Sequence, residues 1–287
     1  MNIGIVGAEN SHTVAIARLL NVEKRVPGFR VTHLWGETRA LARRAADSGS
    51  IPRIVARPEE MIGQIDAAVV DHRHGREHLP AAAPLLEAKL PLFIDKPFCY
   101  RVAAGRRFLA RAAELGVPVC SFSVLPHQAA FVQLCRDARA LGQVHAVTTT
   151  GACDVKSRYG GIFFYGIHQV DMLLRLLGHE VASAQVVRGR GANHVATLAY
   201  RDGTVASMNL IGAGHPAFHV SVVGEKGRID REIAMDESPY LAGVKAFCRM
   251  FRTGRTEETT QSMLGPVAVL EALEKSLARG ERVRVSF

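Results

Sequence analysis

Asn2-Ile3-Gly4-Ile5-Val6-Gly7, running on into Ala8-Glu9-Asn10-Ser11-His12, is the stretch that decides the fold. A short apolar run that ends on glycine reads as a buried strand followed by a tight turn, and Ser11 can cap a helix running to about Leu20. Working outward, the same unit recurs. Arg30–Trp35 reads as a second strand followed by an amphipathic helix from about Thr38 to Ala46, and Ala67–Asp71 and Leu92–Asp95 are apolar strands each followed by a helix. Val117–Phe122 is the last strand of this kind. Strands separated by helices of this length imply a doubly wound parallel sheet.

The pattern then changes. After a helix near Gln128–Leu141, strands are expected at Glu180–Val187, His194–Tyr200, Thr204–Leu210 and Phe218–Val223. Turns at Asp202-Gly203 and Gly212-Ala213-Gly214 suit an antiparallel meander. Ala196, Leu198, Tyr200, Ala206, Met208, Leu210, Phe218, Val220 and Val222 fall on one apolar face, while Val195, Thr197, Ser207, Asn209 and Ser221 make a smaller, more polar opposite face. Two helices near Tyr240–Phe251 and Ser262–Ala278 and a strand at Arg282–Ser286 finish the chain. Two domains are expected: 1–122, and 123–287 as an α+β domain with an open, mostly antiparallel sheet.

Composition narrows the function. The 287 residues are 48% hydrophobic and 22% charged, which suits a globular chain rather than a disordered one. The formal net charge is +9, yet the arginines are dispersed along helices and no basic block is interleaved with aromatics. Nucleic acid is therefore not an expected partner; a basic surface that attracts anionic ligands is the reading preferred. No apolar run is long enough for a bilayer, so no membrane partner is expected. The chain passes into its first strand without a basic leader, and its five cysteines are scattered without a CxxC pair. Reduced thiols and a cytoplasmic location are the expectation.

In a doubly wound sheet, ligands bind beyond the carboxyl ends of the strands. That places Gly7–His12, Asp71–His78 and Asp95-Lys96-Pro97 at the business end. At these loops the chain resembles the glucose–fructose oxidoreductase/inositol dehydrogenase (Gfo/Idh/MocA) family. Gly4-Ile5-Val6-Gly7-Ala8 is similar to the family's opening fingerprint, and His78 stands eighteen residues before Lys96, as the family's loop His does before its Lys. Asp95-Lys96-Pro97 resembles its Glu-Lys-Pro signature. Gly160-Gly161, Gly166-Ile167-His168-Gln169-Val170-Asp171, Val223-Gly224-Glu225-Lys226-Gly227 and Ser276-Leu277-Ala278-Arg279-Gly280 resemble its later elements, in order along nearly the whole chain.

The resemblance implies a Rossmann-type first domain, an NAD or NADP cofactor, and oxidation or reduction at a carbinol carbon of a sugar, cyclitol or related polyol. It also implies a homo-oligomer, a dimer or tetramer, paired through the second sheet. Lys96 would hydrogen-bond the substrate oxygen and stabilise a developing alkoxide. His168, expected to open a helix at His168–Leu177, would move the hydroxyl proton. Asp171, one helical turn on, would orient His168 or accept a substrate hydroxyl. His78 and Tyr165 join them as expected substrate contacts. For the cofactor the expected contacts are Gly7, Ala8, Glu9, Asn10, Ser11, His12, Trp35, His72, His74, Asp95, Lys96 and Pro97. The run His72-x-His74-x₃-His78 has metal-like spacing, but no fourth ligand is in view and no metal is expected.

The chain departs from the family pattern in four places. Of the fingerprint G-x-G-x-x-G only the first glycine, Gly7, survives, and Glu9 brings a carboxylate toward a pyrophosphate, while Asn10, Ser11 and His12 can donate to it. No Asp ends the second strand; Glu37 is the nearest acid and Arg39 a partner for a 2′-phosphate, so NAD versus NADP stays open. Phe164 stands where the family's dehydrogenases usually place an Asp, and Ser123-Val124-Leu125 replaces an Arg. The alternatives are a lyase, epimerase or hydrolase that uses transient oxidation by tightly held cofactor, or a non-catalytic ligand-binding relative.

Overall fold

The computed structural model describes residues 1–214 and 216–287, which divide into two compact units. The first takes Met1–Cys99, Ala103–Phe122 and Tyr240–Met263, and the second Tyr100–Val102, Ser123–Pro239 and Leu264–Phe287.

In the first unit, β1 (Asn2–Val6), β2 (Arg30–Trp35), β3 (Arg53–Ile54), β4 (Ala67–Val70), β5 (Leu92–Ile94) and β6 (Val119–Cys120) form one parallel sheet in the order β3-β2-β1-β4-β5-β6. The order reverses between β1 and β4, which opens a crevice at their carboxyl ends. Gly7 lies at that reversal with φ +123°, and a Cβ there would sit 2.6 Å from the Asp71 carbonyl oxygen, so only glycine lets the two strand ends approach. Gly36, just past β2, is equally constrained: a Cβ would meet that of Ala8 at 2.6 Å.

The first helix, α1 (Ser11–Ala17), is capped by Asn10 rather than by Ser11, and it passes into a wider π turn over Arg18–Val22. The Asn10 side chain accepts from the His12 amide through Oδ1 and is left with its amide nitrogen for the strand ends described below. Thr38 caps α2 (Arg39–Gly49) by accepting from the Leu41 amide at 3.2 Å. α3 (His78–Glu87) and α4 (Val102–Leu115) follow β4 and β5. The core joins Ile3, Ile5, Leu34, Val69 and Phe93 to Val244, Phe247 and Phe251 of a late helix, Leu241–Thr253, with the Phe93 and Phe247 rings stacked 4.7 Å apart. Each such buried side chain stabilises by about 1.5–3 kcal/mol. Periodicity in the sequence gives that helix its apolar face but does not say which sheet the face joins.

The second unit has a seven-stranded sheet. Its strands are β7 (Val144–Ala152), β8 (Val181–Arg188), β9 (Asn193–Tyr200), β10 (Val205–Ile211), β11 (His219–Gly224), β12 (Gly227–Glu232) and β13 (Val283–Arg284), in the order β12-β11-β7-β10-β9-β8-β13. It is not the simple meander expected: β7 inserts between β10 and β11 and pairs with β10 in parallel, while the other pairs are antiparallel. The alternation on β9, β10 and β11 is as expected, with Ala196, Leu198, Tyr200, Ala206, Met208, Leu210, Val220 and Val222 buried. Phe218 is the exception; it precedes β11 and is half-buried. α5 (Ala129–Ala138), α6 (Ile162–Leu177) and most of the final helix, α8 (Thr260–Arg279, with Leu241–Thr253 as α7), belong to this unit. Gln169 of α6 fixes the helix to the sheet by donating to the Gly151 and Asn209 carbonyls and accepting from the Thr149 hydroxyl. Among the described residues no helix is long and apolar enough to cross a membrane.

Candidate active site

In the first unit the ends of β1, β4 and β5 each deliver polar groups to one place. Asn10 donates through Nδ2 to Asp71 Oδ1 at 2.7 Å and to Asp95 Oδ2 at 3.1 Å, so one amide bridges two buried carboxyl groups. His12 Nδ1 lies 3.1 Å from Asp95 Oδ1, and the Lys96 ammonium 3.9 Å from Asp95 Oδ2. The Tyr240 ring packs 4.9 Å from that of His12. Lys96 is 8% exposed, and its peptide bond to Pro97 is cis.

The two carboxyl groups take opposite states. Burial, and then the charge of Asp95, push the Asp71 pKa well above the usual carboxylate range. Burial alone would also raise Asp95, but the adjacent His12 and Lys96 more than offset it and hold Asp95 below that range. Geometry agrees with a neutral Asp71. Its Oδ2 lies 2.6 Å from the Thr13 hydroxyl, which lies 3.0 Å from the Gly7 carbonyl; a protonated Asp71 donates to Thr13, and Thr13 donates to Gly7. Two adjacent acids thus carry one charge, which the Lys96 ammonium beside Asp95 balances.

The loop after β1 is held by a group the sequence offered only as the nearest acid. Glu37 Oε2 accepts from the Ala8 amide at 2.9 Å and the Glu9 amide at 3.0 Å, while its Oε1 is buried without a hydrogen-bond partner. Ser11 is exposed at the start of α1. Trp35 donates through Nε1 to the Ala56 carbonyl, and its ring lies 5.6 Å from that of His72.

The three histidines after β4 do not gather as a metal set. His78 is fully buried with Nδ1 at 2.8 Å from the Pro97 carbonyl and Nε2 at 2.8 Å from the His72 carbonyl. Burial lowers its pKa, and the neutral ring donates to one carbonyl at a time. As placed it clamps the two loops together and turns neither nitrogen toward a ligand. His74 Nδ1 accepts from the Arg76 amide, and burial lowers the pKa of His72, whose Nδ1 is buried without a partner. Among the described residues the donors that come together are instead His12, Asp71 and Asp95, within 4.8 Å of one another. The Asn10 amide and the Lys96 ammonium already sit against those carboxyl groups, so a cation bound there would displace them.

The second unit carries the other half of the expected set. His168 lies in the second turn of α6 rather than at its start, because the helix begins at Ile162, after Gly161. Ser123, which follows β6 and which motif spacing did not single out, places its Oγ 2.7 Å from His168 Nδ1. The Ser123 amide donates to Asp171 Oδ2 at 3.1 Å, and Arg175 Nε donates to Asp171 Oδ1 at 2.9 Å. Asp171 therefore acts on His168 through Ser123. The Tyr165 and Phe218 rings each stand 5.6 Å from the imidazole, and Tyr165 is exposed. A polar residue directly after a strand's carboxyl end was the one available signal for Ser123.

Comparison with known proteins bears on what these groups do. The chain resembles a probable dehydrogenase from Thermotoga maritima (17% identity, 99% of both chains, TM-score 0.84). It also resembles a scyllo-inositol dehydrogenase from Lactobacillus casei with bound NAD(H) and scyllo-inositol (15% identity, 99% of both chains, TM-score 0.85). A third likeness is to GenD2 from gentamicin A biosynthesis in complex with NAD (19% identity, 100% of this chain and 97% of that one, TM-score 0.86). At these identities the likeness establishes the fold. No curated protein matches the sequence. Residues 1–122 match the family model described as an oxidoreductase family with an NAD-binding Rossmann fold.

Proposed function

We propose that the protein is an NAD-dependent dehydrogenase acting at a carbinol carbon of a sugar, cyclitol or related polyol. The observation that carries this reading is the buried Lys96 ammonium beside the ionised Asp95 at the carboxyl end of β5, within a domain of the NAD-binding family. A lysine buried at a strand end is costly unless its charge is used and balanced. Lys96 is assigned to hold the substrate oxygen and stabilise negative charge on it, and His168, its imidazole held by Ser123, to carry the hydroxyl proton. Nicotinamide, when bound, supplies hydride transfer.

The residues fit that cofactor. Gly7 lets the carboxyl ends of β1 and β4 approach where the crevice opens, and Glu37 presents a buried, unpartnered Oε1 at the end of β2, where ribose hydroxyls are held in this fold. The same carboxylate would repel a 2′-phosphate, which favours NAD over NADP. We further assign a homo-oligomer paired through the open face of the second sheet, where Val187, Val195 and Val205 are exposed, and a reducing, cytoplasmic setting, consistent with five free cysteines. The test is NADH formation across a panel of cyclitols and sugars. The parent is expected to reduce NAD with at least one of them and Lys96→Met with none; equal activity of the two would remove the assignment.

A further inference from the structure

Toward the amino ends of β1 and β2, away from Gly7, Asp71 and Asp95, the first unit has a cavity of about 920 Å³ that the proposed reaction does not use. Its lining includes Asn2, Lys24, Arg30, His33, Arg53 and Gln64, and no Asp or Glu.

The arginines here are held differently from those that form ion pairs elsewhere on this protein. Arg111, Arg201, Arg231 and Arg249 each meet a carboxylate. Arg30 instead donates through Nε to Asn2 Oδ1 at 2.9 Å, and Arg53 through Nη1 to Gln64 Oε1 at 2.7 Å. An amide oxygen orients a guanidinium without cancelling its charge. Among the described residues neither arginine nor Lys24 has an ion-pair partner. The amides are themselves fixed: Gln64 Nε2 donates to the Glu60 carbonyl, and His33 Nε2 lies 3.3 Å from Gln64 Oε1. Burial lowers the His33 pKa. The floor is stitched by Asn21, which donates to the Val31, Gly49 and Ser50 carbonyls and accepts from the Val31 amide. Thus the site is preformed, oriented and positive.

Its spacing selects the ligand. Arg53 pairs with His33, three residues along β2 from Arg30, so the two arginines leave the backbone at positions on the order of 10 Å apart. Two linked anionic groups span that distance better than one. We propose that this cavity binds a small polyanion carrying two or more phosphate-type groups, at a site separate from the dinucleotide crevice.

Titration calorimetry of the full chain with inorganic tripolyphosphate tests this. The expected result is a saturable site that persists in the presence of saturating NAD and weakens at least tenfold in the Arg30→Gln/Arg53→Gln double variant. No binding at millimolar probe, full retention in the double variant, or loss of the probe on adding NAD each overturns the proposal. Should the double variant fail to fold, Lys24→Gln replaces an exposed side chain and is expected to weaken the probe severalfold with the thermal midpoint unchanged; undiminished affinity there overturns it equally.

Discussion

Asp95 and Asp171 are both buried carboxylates, each close to a group assigned to the chemistry, yet the protein holds them in opposite ways. Asp95 lies directly against its lysine and shares Asn10 with a second acid, so that corner depends on an exact count of charges. Asp171 has its own arginine and is linked to His168 through the backbone amide and hydroxyl of Ser123. Removing a charge should therefore be felt strongly in the first unit, whereas in the second the same change is transmitted through an intermediary. Variants at the two acids and their partners can sharpen or break that contrast.

The largest effect expected is on turnover. Lys96→Met should lower it by at least ~10³-fold, roughly 4 kcal/mol of transition-state stabilisation, while Asp171→Asn, acting through Ser123, should cost about tenfold. Equal losses in the two variants, measured with any substrate the panel yields, would erase the distinction.

Stability provides the next test. Asp95→Asn leaves the buried Lys96 without its counter-charge, and a loss of about 3 kcal/mol in denaturant unfolding is expected. Ser123→Ala removes a neutral hydrogen bond and should cost about 1 kcal/mol, together with a change in the His168 ring-nitrogen NMR shifts. Unchanged shifts would show that Ser123 does not hold the imidazole.

Asp71→Asn is expected to have the smallest effect at neutral pH, below about 1 kcal/mol, because an amide reproduces the donor that a protonated Asp71 presents to Thr13. The pH dependence gives its sign. Asp71, with a raised pKa, contributes stability that is complete below the unfolded carboxylate pKa and is lost as pH rises through the folded one. Asp95, with a depressed pKa, contributes stability that is present above the unfolded value and is lost as pH falls through the folded one. Asp71→Asn should therefore gain on the parent as pH rises from about 4 toward neutral. A variant that loses ground over that interval would mean Asp71 is ionised in the fold.

How much of this was legible in the sequence follows from distance along the chain. Gly7, Asp95 and Lys96 stand in short motifs at strand ends and His168 in one within α6, and the rule that ligands meet carboxyl ends of strands locates the first three without further help. Asp71 was visible only as the end of a strand, because what makes it matter, Asn10 and Thr13, lies about sixty residues away. Glu37 and Ser123 were hidden for the same reason: their partners are brought to them by strand order. The three strands missed have local causes. β3 is a two-residue edge, β12 reads Gly-Arg-Ile-Asp-Arg-Glu and is almost wholly polar, and β7 carries three consecutive threonines, Thr148 to Thr150, which obscure its alternation. His78 was expected to touch substrate, and its partners could not be read from spacing: the backbone carbonyls of His72 and Pro97 take its ring nitrogens.

The central claim is that the crevice between β1 and β4 takes NAD, with Glu37 at its ribose end. Titration calorimetry of the parent chain with NAD and with NADP measures this directly. The account predicts that NAD binds at least tenfold more tightly than NADP, a difference of about 1.4 kcal/mol, and that Glu37→Gln narrows the gap. If neither dinucleotide binds at millimolar concentration, the dehydrogenase reading is contradicted, and a ligand-binding role takes its place.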